Sequence, residues 1–498
     1  LTEQERKKAL NQNIKIISAV ILMLFVGIMG YMLYFQSVMA EEIAKKPGNV
    51  RMQVARNEIL RGTFFDRHGR VLSSSERVSS NKQVRSYAGK EAFAQVLGYE
   101  MGSVRTGLEH AMDEVLMTDE FTYSFTRDSL EELLRNPASI LHRSKEGNSV
   151  VTTLDQELQW RAYELFGDAL GEKGSLVAIK PKTGEILAMV NRPSYDPNRL
   201  NEDFEKLNEK NYDDGVFINQ AAQGAYAPGS TFKIITLLAA LERLKDVDTR
   251  TFVDEGVLVV QNGQNLPNIN GIKHGRIDLQ RAFAVSSNVV FGSLAIELGG
   301  NVLAGVAERF GFNEVLEAPF LYTGKSQVTP FQKEEEGALA SSGVGQNGVA
   351  ASPLQMAMVT SGIANDGDLM TPRIVRSILR YDGTTKEKYD PTLYKSVASV
   401  DTAQRVKAYM KNNVDSSNHP NMNMLADIRG AGKTGTAEDR YLLTSGESIN
   451  VVNSWFTGFA PFEDPKIAIA VVVIDGGSGI EKAASIAAEL MTWYMNNR

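Results

Sequence analysis

The sequence predicts an α+β protein with an N-terminal transmembrane helix, an elongated noncatalytic pedestal, and a larger domain in which helices cover an antiparallel sheet. Three observations carry that reading. Ile16 to Phe35 holds no charge and, at helical rise, spans a hydrocarbon core. A chain of 498 residues with 43% hydrophobic and 23% charged side chains is a folded, core-forming composition, too long for one ordinary domain. From residue 150 on, a helix, a hairpin, a largely helical middle, three strands and a terminal helix follow one another, the order of a helix-covered sheet.

Residues 1–15 are expected as a cytoplasmic tail and 16–35 as a single membrane anchor. Arg6, Lys7, Lys8 and Lys15 precede the span and Lys45, Lys46 and Arg51 follow it, a slight bias toward an inside N-terminus that puts the bulk of the chain outside the cytoplasm. A cleaved signal peptide ending near Val38-Met39-Ala40 is the rival, though the apolar run is longer than a typical signal core. Residues 36–149 are polar and interrupted. Asp66-Arg67-His68-Gly69 is a turn signal between the strand-like runs Thr63–Phe65 and Val71–Leu72, and 91–117 and 129–135 read as helical. With no convergent catalytic set, this region reads as a spacer or docking module.

In the region 150–498, Asp155 to Leu170 is amphipathic, with Leu158, Ala162, Leu165, Phe166 and Ala169 toward the core. Ser175 to Asn191 reads as a hairpin around Pro181-Lys-Thr-Gly184, and 201–215 as a charged loop. Pro228-Gly229 breaks the chain before an apolar helix from Thr231. Strands are expected at Ile428–Thr436, Ser454–Ala460 and Ile467–Ile474, and a closing helix at Glu481–Asn496.

Composition excludes several chemistries. A net charge of -7 without a long basic block argues against nucleic-acid binding. With no cysteine there is no disulfide, thiolate metal site or cysteine nucleophile. The five histidines are scattered, with no H-E-x-x-H pair and no candidate for a Ser-His-Asp triad. No metal or cofactor is expected.

Three short motifs remain. Ser230 and Lys233 are spaced to share one helix face, so that an amine can reach a hydroxyl, a candidate nucleophile and base. On the same helix Lys233, Thr236, Ala240 and Arg243 also fit an ordinary solvent stripe, and a second S-x-x-K stands at Ser79–Lys82. Ser286 and Asn288 lie inside the helical run Asp278–Leu298, where they face solvent or line a polar cleft. Lys433-Thr434-Gly435-Thr436 enters an edge-like strand, and Gly435 lets another backbone come close. Decoys exist, SSN at 79 and 416 and KTG at 182, but only 230, 286 and 433 give the three in order at a helix start, a helical run and a strand.

In that order the chain resembles the penicillin-binding proteins and serine beta-lactamases. RGTFFDRHG, RTGLE (Arg105 to Glu109), TLDQELQ, AIKPKTGEILAM, YAPGSTFK, GVGQNGVAASPLQMA and SWFTGFAP narrow the resemblance to class B penicillin-binding proteins, from about residue 60 to the end. Asn347 stands where the family leads one to expect glycine, so the loop after Gln346 is expected to differ in shape. The resemblance implies a D,D-transpeptidase acting on peptidoglycan stem peptides ending in D-Ala-D-Ala and bound by beta-lactams, with the acyl-enzyme on Ser230. It further implies Lys233 as base, Ser286 as proton relay, Asn288 on the donor peptide or Lys233, and Lys433, Thr434 and Thr436 on the donor carboxylate. Backbone N–H groups of Ser230 and Thr436 are the implied oxyanion hole. The implied partner is a membrane-embedded glycan polymerase; the alternatives are a catalytically minor scaffold for it, or a beta-lactam-hydrolysing or -sensing relative.

Overall fold

The computed structural model describes residues 3–35, 39, 58–79, 82–119, 145–167, 173–442 and 447–498. The expected helix at 129–135, Val38 and Ala40 of the candidate cleavage site, and Ala169 lie outside them. Helix α1 (Glu3–Tyr34) is one continuous rod whose stretch Asn11–Tyr34 is long and apolar enough to cross a membrane and has no buried residue.

The remaining elements, in chain order, are β1 (Phe64–Phe65), β2 (Val71–Ser79), β3 (Lys82–Tyr87), α2 (Lys90–Leu97), β4 (Ser149–Thr152), α3 (Gln156–Leu165), β5 (Lys173–Lys180), β6 (Glu185–Arg192) and α4 (Leu200–Asp214). They continue with α5 (Lys233–Arg243), α6 (Leu279–Ala284), α7 (Asn288–Leu298), α8 (Pro353–Ala364), β7 (Val375–Leu379), β8 (Thr385–Lys388) and α9 (Val400–Asp415). Last come β9 (Ala431–Leu442), β10 (Ser448–Ala460), β11 (Ile467–Ile474) and α10 (Ala483–Asn497).

The central sheet is antiparallel in the order β6-β5-β11-β10-β9. Its middle strands are buried on both faces, and their period of two sorts them into two cores. Val177, Ile179, Ala468, Ala470 and Val472 join the larger core that includes Leu354 to Ala364 of α8. Leu176, Ala178, Ile467, Ile469 and Val471 join a second core with α10 and with Leu158, Ala162 and Phe166 of the α3 region. Asp155 starts α3 as its N-cap, accepting hydrogen bonds from the Glu157 and Leu158 amides.

A six-stranded sheet has the order β8-β7-β4-β1-β2-β3. Beside it, Arg61 and Glu109 are both fully buried: Arg61 donates to the Glu109 carboxylate at 2.8 Å and to Asp113 at 2.5 Å, and Arg85 donates to the other Glu109 oxygen at 2.8 Å. Burial works against the Arg61 charge, but Glu109, Glu100 and Asp113 outweigh it and hold its pKa raised.

Three expectations are corrected. Residues 91–117 are not one helical stretch but α2, a strand pair Glu100–Met101 with Val104–Arg105, and two short helices, Gly107–Ala111 and Asp113–Leu116; Gly98 and Gly107, both at positive φ, break the run. The charged segment 201–215 is largely helix, because Arg199 to Asp214 holds no glycine or proline and Leu200, Phe204 and Leu207 recur at helical spacing against Tyr195, Val216 and Phe217. The run Asp278–Leu298 is interrupted, with α6 ending at Ala284 and α7 beginning at Asn288. Ser286 sits in the left-handed region at φ 58. Ser287 is the N-cap of α7, accepting from the Val290 amide at 3.1 Å, and the Asn268 side chain accepts from the Asn288 amide at 2.8 Å. Ser and Asn compete well for free amides at a helix start, so the pair makes a break where hydrophobic periodicity alone continues.

Candidate active site

Ser230 lies in a 3-10 turn, Gly229–Phe232, that runs directly into α5. Gly229 has φ 53, and a Cβ there would come within 2.8 Å of the Thr436 carbonyl oxygen; its amide donates to the Gly345 carbonyl at 2.9 Å. The Ser230 turn is thus pressed against edge strand β9. Gly435 permits the approach from the other side, where a Cβ would meet the Pro228 carbonyl at 2.9 Å.

The face of α5 that fits a solvent stripe is interior at Lys233, Thr236 and Ala240 and exposed at Arg243. Lys233 and Thr236 are 0% exposed, and the Thr236 hydroxyl donates to the Gly343 carbonyl at 2.7 Å. The Lys233 amine donates to the Ser286 carbonyl at 2.6 Å, to Asn288 Oδ1 at 2.8 Å and to Ser286 Oγ at 3.2 Å. Lys433, 1% exposed, reaches the same Ser286 Oγ at 3.0 Å and the Thr434 carbonyl at 3.2 Å. The left-handed turn at Ser286 makes this possible, presenting carbonyl and hydroxyl to two lysines from different elements. Thr434 and Thr436 are half-buried on β9, and Thr436 Oγ1 accepts from the Gly479 amide at 3.2 Å.

The structure therefore gathers Lys233, Ser286, Asn288 and Lys433 into one hydrogen-bonded cluster, with Ser230, Gly435 and Thr436 along its rim. Among the described residues no hydrogen bond joins the Ser230 hydroxyl to Lys233; Ser230 is 8% exposed. Catalytic hydrogen bonds are often loose before substrate arrives. The decoys fall elsewhere: Lys182 is exposed at the β5–β6 turn and pairs with Asp464 at 2.5 Å.

Neither active-site lysine has a carboxylate in contact among the described residues. Burial, then the neighbouring Lys433 charge, push the Lys233 pKa well down, and Asp254 partly opposes them. Burial lowers Lys433 to about 7. A neutral Lys233 has two hydrogens, enough for the Ser286 carbonyl and Asn288, and keeps a lone pair for a proton.

The motif search missed the support behind this cluster. Asp254 is fully buried and accepts from Ser287 Oγ at 2.6 Å, from Asn268 Nδ2 at 2.8 Å and from the Gly256 amide at 2.9 Å. Burial works to raise its pKa, but those hydrogen bonds outweigh it and hold the carboxylate ionised. Asn268 in turn holds the start of α7, which fixes Asn288. No spacing signal ties Asp254 or Asn268 to the motifs.

Residues 174–492 match the penicillin binding protein transpeptidase domain. The chain belongs to the class B penicillin-binding proteins. It is 31% identical over 484 residues to the peptidoglycan D,D-transpeptidase PbpA of Mycolicibacterium smegmatis, covering 94% of each chain. The D,D-transpeptidase domain of a peptidoglycan glycosyltransferase from Eggerthella lenta superposes with a TM-score of 0.74 at 30% identity, over 88% of this chain and 99% of that one. Penicillin-binding protein A of Mycobacterium tuberculosis, solved as an imipenem acyl-enzyme complex, gives 0.78 at 26% identity, over 89% and 100%. This penicillin-binding protein departs from the expected loop pattern at Asn347, which takes φ 35 between Gly345 at 76 and Gly348 at 77, a left-handed position asparagine tolerates.

Proposed function

We propose that this class B penicillin-binding protein is a serine D,D-transpeptidase that cross-links peptidoglycan stem peptides through an acyl-enzyme on Ser230, and that beta-lactams acylate the same hydroxyl. The observation that carries the reading is the convergence of two buried lysines, free of carboxylate contact, on the hydroxyl of Ser286 beside the nucleophile turn.

Lys233, kept neutral by burial and by Lys433, takes the Ser230 proton as Oγ attacks the penultimate carbonyl of the donor. The Ser230 and Thr436 amides hold the developing oxyanion. Ser286, in contact with both amines, passes a proton to the departing D-alanine nitrogen. Asn288 orients Lys233 and the donor backbone. Lys433, Thr434 and Thr436 receive the donor's terminal carboxylate, a charged partner for a cation that has no carboxylate contact among the described residues. Gly435 keeps the strand open to the peptide. An amine of a second stem peptide then displaces Ser230.

The same reading divides the chain into a cytoplasmic tail (1–15), an anchor (16–35), a noncatalytic pedestal (36–149) and the transpeptidase domain (150–498). The chain is then a single-pass membrane protein with its catalytic domain on the extracytoplasmic side. The anchor and pedestal are the surfaces for a membrane-embedded glycan polymerase.

The test is covalent labelling of the full chain with a fluorescent penicillin, in wild type and Ser230→Ala. Labelling that depends on Ser230 is expected. A label that persists in the variant, or never appears in wild type, rejects the acyl-enzyme.

A further inference from the structure

The loop that follows β11, Asp475-Gly476-Gly477-Ser478-Gly479, belongs to none of the three motifs, yet it ends against the strand that carries one of them. It is fastened to β10. The Gly477 amide donates to the Val452 carbonyl at 2.8 Å, and the Asp475 carboxylate accepts from the Val452 amide at 3.3 Å. The buried Ser454 hydroxyl donates to the Ser478 carbonyl at 2.9 Å and accepts from the Ala483 amide at 3.0 Å. From this fastening the chain crosses the β9–β10 ladder to Thr436, where the Gly479 amide donates to Oγ1 at 3.2 Å.

The crossing has room for glycine alone. A Cβ at Gly479 would overlap the Gly435 carbonyl oxygen and stand 2.8 Å from that of Trp455. The φ of Gly479 lies outside the left-handed region, so it is space and not backbone conformation that requires the glycine. The loop lies on the face of β9 that carries Thr436 and, paired with it on β10, Ser454; the Ser230 turn lies on the opposite face, against Gly435 and Ala437. The segment Gly435–Thr436 is thus held from both sides.

The hydrogen bond from Gly479 has a directional consequence. A threonine hydroxyl carries one proton and two lone pairs, so once Oγ1 accepts from a fixed amide its own proton is turned away from that amide. Thr436 is half-buried on the edge strand, and in the proposed function, on which this inference rests, its hydroxyl meets the donor's terminal carboxylate. A carboxylate only accepts, so it needs a proton aimed at it. We propose that Gly479 is a positioning residue for acylation: its amide and its bare Cα hold the Thr436 hydroxyl with the proton directed to the carboxylate of the donor or of a beta-lactam.

The test is the second-order constant for acylation of the full chain by a fluorescent penicillin, measured with and without Gly479→Ala in the wild-type, Thr436→Ser and Thr436→Val backgrounds. In the wild-type background Gly479→Ala is expected to slow acylation roughly tenfold, the worth of one hydrogen bond to a charged group. Thr436→Ser keeps the hydroxyl and should keep that loss. Thr436→Val keeps the shape without the hydroxyl, and there Gly479→Ala should cost no more than about twofold, because two changes to one interaction do not add. A loop that merely supports the fold would slow all three backgrounds alike. Ser454→Ala loosens the same loop without adding an atom and replaces Gly479→Ala if that variant does not fold; its smaller loss, about threefold, should likewise vanish with Thr436→Val. A loss that persists with Thr436→Val, or no loss in the wild-type background, overturns the inference and leaves acylation of Ser230 standing. Absence of labelling in wild type overturns the Ser230 reading and this inference with it.

Discussion

Two regions of this protein bury cations completely, and they treat them in opposite ways. Arg61 is enclosed with Glu109 and Asp113, to which it donates charge-assisted hydrogen bonds, and its pKa is raised. Lys233 and Lys433 donate to hydroxyl, amide and carbonyl oxygens, with no carboxylate in contact among the described residues, and both pKa values fall. Burial costs both, but the carboxylate partner decides the outcome. A paired cation is locked in its charged form and ties segments together, whereas a cation given only neutral acceptors can lose its proton and so do chemistry. The sites are further distinguished by residue type. Guanidinium does not deprotonate, whereas an ammonium shifts readily and can give up its proton at the candidate site.

Four measurements break or sharpen this contrast. Lys233→Met should lower the penicillin acylation rate by roughly a thousandfold, the upper part of what a general base contributes, without lowering thermal stability. Stability lost in step with activity would mean that Lys233 is structural after all. Arg61→Met should do the reverse, costing about 3–5 kcal/mol by leaving Glu109 short of a partner, while folded molecules acylate within about twofold of wild type. Unfolding midpoints with active-site titration separate the two quantities. Asp254→Asn removes the one carboxylate that favours the charged form of Lys233. The acid limb of the acylation pH profile should move to lower pH by less than about one unit, and movement to higher pH would show that Asp254 does not act on Lys233 by charge.

The last measurement concerns pH and stability. Lys433 falls from 10.5 to about 7 on folding, so between those values the unfolded chain binds more protons than the folded one. Stability contributed through Lys433 therefore rises with pH across that window and is lowest at and below its lower end. Thermal unfolding of Lys433→Met should show a flatter dependence between pH 7 and 10.5 than wild type; identical slopes would contradict the shift.

Much of the architecture was legible because it is local. The strands 454–460 and 467–474, the hairpin around residue 182 and the helix after Pro228-Gly229 announce themselves by period and punctuation. The order of the three motifs brought out residues that the fold gathers into one hydrogen-bonded cluster. Two kinds of feature were hidden. Ser286 looked helical because its apolar neighbours keep the helical period, while the break depends on capping by Ser287 and on Asn268, twenty residues away. Asp254 reaches Ser287 across 33 residues, a contact no spacing encodes. The segment 201–215 reads as a loop because its charge masks the helical spacing of Leu200, Phe204 and Leu207, the side chains that anchor it.

The six-stranded sheet carries a consequence for how the chain matures. Phe64–Phe65 pairs in parallel with Val150–Val151, whose own strand pairs with Val375–Leu379 and through it with Thr385–Lys388. The part of the chain synthesised soon after the apolar helix must therefore wait for strands made some three hundred residues later. A short hairpin has little stability of its own, and contacts so distant in sequence form slowly. The early strands are thus exposed edges until the last of these partners is made, so the interval between synthesis of residue 65 and residue 388 is when this protein most needs a chaperone.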